Sequence, residues 1–228
     1  MTRPQRNAWL VVVACALCWC SRTASATIDT TDLEAPWPKQ HVRELEVRRH
    51  HVRWRQYASG KDGIFVGARF VSPASVADAW NISADYGELK RLTPGVKSVR
   101  VIEESPTREI VETEIKVLWK TIRLRFEVER DPPRAVRFRL VHQHIGEYRG
   151  VCLIQPHGER ESEVEMITWL KPAVRLPTGL ILSIQRMVFL QGIRNYLADC
   201  ERAHSAPAPG TAALRSAPVV GKSTSANH

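Results

Sequence analysis

VETEIKVLWKTIRLRFEVERDPPRAVRFRL, residues 111–140, is the stretch on which the fold turns. Val111, Thr113, Ile115, Val117 and Trp119 take its odd positions, and Glu112, Glu114, Lys116 and Lys120 lie among them. A side-chain period of two belongs to a strand with one dry and one wet face. The same rule returns at Ile122, Leu124, Phe126 and Val128, with Thr121, Arg123, Arg125, Glu127 and Glu129 facing away. After the Asp131-Pro132-Pro133 turn it resumes at Val136, Phe138 and Leu140 against Arg137 and Arg139. Two more runs, 148–155 and 163–170, are punctuated by Gly146 and by His157-Gly158-Glu159-Arg160. Connections this short join neighbouring strands as hairpins, so the segment reads as an antiparallel meander.

Downstream the period changes. From Pro177 to about Cys200 apolar residues recur at helical spacing in two stripes: Leu180, Ile184, Met187 and Gln191 on one, Phe189, Ile193, Tyr196 and Cys200 on the other. One stripe is expected to dock on the sheet and the other to border an opening. Upstream, 42–57 is charged and β-rich, a first strand or ribbon that pairs with 64–71 across Gly60-Lys61-Asp62-Gly63. Ser72-Pro73 opens a helix that runs through Val76 and Ala79 to Trp80, with the serine as cap and the proline in the first turn. A second short helix, 86–92, ends at Thr93-Pro94-Gly95. The expected class is α+β: a curved antiparallel sheet wrapped around one long C-terminal helix, with two short helices after an early strand. A sheet with a dry concave face must cover it, and one helix cannot fill that area with side chains, so an apolar hollow is expected.

The ends of the chain read differently. Arg3 and Arg6 precede the apolar stretch Ala8 to Cys20, and Ala24-Ser25-Ala26 supplies the small residues a signal peptidase requires. Residues 1–26 therefore read as a signal peptide cut after Ala26, with the periplasm or the exterior as destination. Retention as a membrane anchor is the alternative, although the apolar run is short for a bilayer core of ~30 Å. Residues 27–41, with Pro36-Trp37-Pro38, read as an extended arm, and 42–203 as one domain large enough for its own core. Residues 204–228, rich in Ala, Ser, Pro and Gly and without a large aromatic residue, read as a disordered tail.

Loss of Arg3, Arg6 and Arg22 with the leader lowers the net charge from +9 to +6. The remaining positive residues are scattered among glutamates, unlike the clustered, aromatic-interleaved footprint of a nucleic-acid binder, so no nucleic-acid partner is expected. Attraction to an anionic membrane surface needs only mobile basic side chains, and a peripheral membrane contact stays open. Cys15, Cys18 and Cys20 leave with the leader, and Cys152 and Cys200 form either one disulfide or two core thiols. A monomer is expected.

The order of elements resembles the START-like helix-grip (SRPBCC) superfamily, in particular its polyketide cyclase/dehydrase and coenzyme-Q-binding START branch. The residues that carry the resemblance are Ser72-Pro73-Ala74-Ser75-Val76-Ala77-Asp78-Ala79-Trp80, Asp85-Tyr86, the run Thr93 to Val99, the strand Gly150 to Pro156, the run Ser162 to Met166, and Pro172 with Leu176-Pro177 before the last helix. Where the family often reads Gly-x-Trp, this chain has Cys152, which leaves room inside. The resemblance implies a cavity between sheet and helix for a lipid, quinone, sterol or polyketide-like molecule.

The candidate cavity residues are Trp80, Trp119, Phe126, Phe138, Leu140, His142, His144, Cys152, Met166, Ile184 and Met187. His142 and His144 fall in phase with Phe138 and Leu140 and point inward; such a pair could hydrogen-bond a ligand, move a proton or hold a metal, but no third metal ligand accompanies it. Trp169 is out of phase with Met166, Thr168 and Leu170 and is expected on the outer face. The mature chain has no Ser-His-Asp order, phosphate-cradling glycine loop, HExxH or CxxC pair, so no catalytic residue, metal site or cofactor is assigned. The expected function is that of an exported carrier or chaperone of a hydrophobic small molecule. The alternatives are a cyclase or dehydrase using the inward histidines, and a membrane-surface module.

Overall fold

The computed structural model describes residues 27–37, 41–59, 63–85, 90–105, 108–117, 120–141, 146–173 and 177–205. The strands are β1 (Val42–Val47), β2 (His50–Ser59), β3 (Gly63–Ser72), β4 (Val96–Glu104), β5 (Arg108–Val117), β6 (Lys120–Asp131), β7 (Ala135–Leu140), β8 (Gly146–Pro156) and β9 (Ser162–Pro172). They form one curved antiparallel sheet in the order β1-β2-β3-β9-β8-β7-β6-β5-β4. Helix α1 (Val76–Ala84) lies on β8, and α2 (Thr178–Ser205) lies on β2, β3 and α1. The helix-grip arrangement expected from the alternating runs is thus present, with the third strand, β3, beside the last, β9, inside the sheet.

Three local readings are corrected. The ribbon 42–57 is two strands, turned at Arg48-Arg49, both with positive φ (52° and 68°). Left-handed hairpin turns favour Asn and Gly, so this turn carried no sequence signal. Helix α1 is capped by Ser75, not Ser72: the Asp78 N–H donates to Ser75 Oγ at 3.2 Å, and Ser75 Oγ donates to Asp78 Oδ2 at 2.7 Å. Ser72 is buried and instead accepts from the Ala74 N–H at 3.2 Å. Strand β4 was not anticipated, because register shifts between Val96 and Ser98 and between Val101 and Glu103 break its period of two.

The main core lies between α2 and the inner face of β2, β3, β8 and β9, where Val52, Trp54, Val66, Phe70, Ile154 and Val164 pack against Ile181, Ile193, Tyr196, Leu197 and Cys200. The Phe189, Ile193, Tyr196, Cys200 stripe is the one that docks. Strand β3 is buried on both faces, and so reads as an almost unbroken apolar run, Ile64 to Ala68.

Its second cover is the segment 27–37. Leu33 and Glu34 N–H groups both donate to the Thr30 carbonyl, at 2.8 and 3.1 Å, closing one turn. Leu33 and Trp37 pack with Phe65, Val151, Ile167 and Trp169 on the convex face. Gly67 is the notch for Trp37: a Cβ there would lie 2.9 Å from the indole ring. The Arg55 and Arg69 guanidinium groups approach the same ring at 5.9 and 5.5 Å. Trp169 faces outward as its phase required, with Arg149 stacked 4.8 Å from its ring.

Candidate functional site

The inner face is only partly roofed by the two helices. Along β2 and β3, α2 is fixed by Gln56 Nε2 donating to the Leu182 carbonyl at 2.7 Å and by ring contacts Trp54–Phe189 at 5.5 Å and Phe70–Tyr196 at 6.0 Å. Over β8, α1 brings Ser83 Oγ to 3.8 Å from Cys152 Sγ. Beyond these contacts β6, β7 and β8 present Phe126, Phe138 and Tyr148 in mutual ring contact, with centroids 6.0, 6.2 and 5.7 Å apart. All three are half-buried, as are Leu124 and Cys152 beside them. This is an aromatic floor that the described residues do not fully cover.

Its shape follows from one glycine. Phe138 pairs with Gly150 across β7 and β8, and a Cβ at Gly150 would lie 2.5 Å from the Phe138 ring. The ring therefore closes directly over the backbone of β8 at Gly150, and the next inward position of that strand is Cys152 rather than a larger side chain.

Among the described residues, few polar groups lie on this face. Tyr148 is hydrogen-bonded to Thr168 of β9; burial pushes its hydroxyl above the ordinary tyrosine value, against the pull of that bond. The Gln185 side-chain oxygen on α2, four residues from both Ile181 and Phe189, is buried without a hydrogen-bond partner among the described residues. At the end of the face nearest the β6–β7 turn, Arg130 bridges Glu109 at 3.1 Å and the Ala84 carbonyl at 3.2 Å. That pair closes one end of the groove with charge and caps the C-terminus of α1. Cys152 and Cys200 are both free, and burial pushes each thiol up to about 11. Both are protonated at neutral pH, so neither is poised as a nucleophile.

A family profile described as polyketide cyclase/dehydrase and lipid transport matches residues 72–196, more than half of the chain. The chain belongs to this family. The match spans α1, the meander with its aromatic floor and most of α2, which are the elements that build the inner face. No curated protein matches the sequence. Among solved structures, human STARD10 superposes with a TM-score of 0.60 at 10% identity, over 80% of this chain and 83% of that one. A STAR-related lipid transfer protein from Xanthomonas axonopodis gives 0.54 at 12% identity, over 71% and 99%. The Zhui aromatase/cyclase from Streptomyces sp. R1128 gives 0.53 at 14%, over 60% and 93%. At these identities the likeness is one of fold, the START-like helix grip. Family membership carries the general expectation of a hydrophobic ligand.

The residues singled out in the sequence fall into three groups. Phe126, Phe138, Leu140, Cys152 and Met166 share the inner face, Leu140 almost fully covered, and Trp80 reaches it from α1 to touch the Val111, Val128, Val136 cluster. Ile184 and Met187 are not inside: with Leu180 they form an exposed stripe on α2, at 49%, 66% and 40% exposure. Trp119, His142 and His144 lie outside the described residues. Tyr148 and Thr168 were missed, although both are in phase with inward neighbours, Tyr148 with Gly150 and Cys152 and Thr168 with Val164 and Met166. Gln185 carried no signal, because a lone glutamine between apolar positions reads as a surface residue.

Proposed function

We propose that the protein is an exported, monomeric carrier or chaperone of a hydrophobic small molecule, of lipid, quinone, sterol or polyketide-like class. The ligand lies against Phe126, Phe138 and Tyr148. The observation that carries this reading is the half-buried aromatic cluster on a face whose remainder is roofed. Apolar ligand surface removed from water there contributes about 25 cal/mol per Å². The Tyr148–Thr168 pair and the free oxygen of Gln185 supply the few polar contacts that orient one end of the ligand. The exposed Leu180, Ile184, Met187 stripe supports a peripheral contact with a membrane from which the ligand is drawn.

The test is titration with an environment-sensitive fluorescent fatty acid. Phe138→Ala removes one wall of the floor and is expected to weaken binding about ten-fold, corresponding to the loss of most of one phenyl contact. Unchanged affinity in a Phe138→Ala protein with native circular dichroism would place the ligand elsewhere.

A further inference from the structure

The segment 27–37 is fastened to the convex face by a set of contacts unrelated to the inner face. Ile28, Thr30 and Leu33 are exposed by only 2%, 2% and 1%. The Ile28 N–H donates to Glu129 Oε2 of β6 at 3.0 Å. Arg137 of β7 donates to Thr30 Oγ1 at 3.1 Å and to Glu34 at 3.0 Å. Arg149 of β8 donates to Asp32 at 2.9 and 2.8 Å and to the Asp29 carbonyl at 2.9 Å. Anchoring thus begins at the second residue after Ala24-Ser25-Ala26, and Thr27 between them is exposed.

We propose that Thr27 is the mature amino terminus and that its ammonium group, created by processing, pairs with the Glu129 carboxylate to lock this clasp onto the sheet. The proposal rests on the export part of the functional reading and adds what processing does to the fold. In the step itself a membrane-bound signal peptidase adds water across the Ala26–Thr27 amide: Ala26 leaves with a carboxylate, and the Thr27 nitrogen takes a proton to become an ammonium. Consecutive residues span at most ~3.6 Å, so this nitrogen lies within reach of a carboxylate already bonded to the next amide. Peptidases bind their substrates extended on both sides of the scissile bond, whereas 28–34 is docked and turned, so cleavage comes before the clasp closes. The uncut chain has an uncharged amide at the same place.

The charged groups facing the pair are Asp29, Asp32 and Glu34 of the clasp, Arg108 on β5, Glu127 and Asp131 on β6, Arg137 on β7 and Arg149 on β8, with Arg108 already paired to Glu127 at 2.8 Å. An α-amino group changes charge at about pH 8. An ammonium with a carboxylate partner has a raised value in the folded state. Its contribution is therefore fully present below ~8 and is lost as the pH rises through that raised value.

Two measurements test this on the full chain expressed with its leader and purified from the cell envelope. Intact mass is expected to show a chain beginning at Thr27; a chain that retains residues 1–26, or that begins at another residue, overturns the assigned terminus. Glu129→Gln keeps an acceptor for the Ile28 N–H and removes only the charge. Its melting temperature is expected about 2 °C below that of the parent at pH 6.5, with the gap narrowing by pH 9.5. A gap of the same size at both pH values, or none at pH 6.5, overturns the ion pair. Failure of export shows in the mass and failure of the clasp in the melting curves, and neither outcome bears on the fatty-acid titration.

Discussion

Tyr196 shows how single residues hold this fold. Its hydroxyl donates to the Ala79 carbonyl at 3.1 Å and accepts from Ser83 Oγ at 3.3 Å, so one side chain of α2 binds two positions of α1. It is 1% exposed, and burial holds its hydroxyl well above the usual tyrosine value, so it stays neutral and donating at any physiological pH. Tyr196→Phe keeps the ring against Phe70 but removes both hydrogen bonds of the buried hydroxyl, to the Ala79 carbonyl and from Ser83 Oγ, and is expected to cost about 1–2 kcal/mol in urea unfolding. At this scale the sequence was legible wherever phase alone decides: Tyr196 on the docking stripe, Trp169 outward, Phe126 and Phe138 inward. It was not legible where partners decide. Ser75 rather than Ser72 caps α1 because Asp78 stands three residues after it, and the clasp depends on a notch at Gly67 whose occupant, Trp37, is thirty positions upstream.

At the scale of elements, the outer face of β4, β5 and β6 is a lattice of ion pairs. Glu112 of β5 accepts from Arg100 of β4 at 2.6 Å and from Arg125 of β6 at 3.0 Å, and Arg123 reaches Glu114 at 2.8 Å. The hydrogen bonds from Arg100 and then Arg125 hold the Glu112 carboxyl below its ordinary value of 4.5. A carboxylate with a depressed value contributes stability that is present above about 4.5 and lost as the pH falls through the depressed value. Glu112→Gln is therefore expected to melt a few degrees lower than the parent at pH 7, with the difference shrinking below about pH 4. A constant difference from pH 7 to pH 2.5 would contradict this. The lattice also accounts for β4: an edge strand with two bulges and mostly exposed side chains lacks the alternation that revealed its neighbours, yet the Arg100–Glu112 ion pair and the hydrogen bond from Ser98 Oγ to Glu114 tie it to β5. Helix α2 was the opposite case. Both stripes were visible, and the one with Phe189, Ile193 and Tyr196 docks because aromatic and β-branched residues meet Trp54 and Phe70, leaving Leu180, Ile184 and Met187 outside.

The whole molecule is a sheet covered on two sides by different means. On the convex side the clasp seals β3 and its neighbours, and on the concave side α1 and α2 roof β2, β3, β8 and β9 while leaving the Phe126, Phe138, Tyr148 floor half-covered. The helix grip could be anticipated from periodicity and from the family resemblance. The clasp could not, because nothing in the composition of 27–37 says which face receives it. On this reading the half-covered floor holds a hydrophobic molecule wherever the protein works. Native mass spectrometry of the protein purified from its own cell envelope tests this most directly. The expected result is a co-purifying apolar molecule in one-to-one ratio, displaced by excess fatty acid. Repeated recovery of the bare polypeptide mass, with no binding of added fatty acid, sterol or quinone, would contradict it.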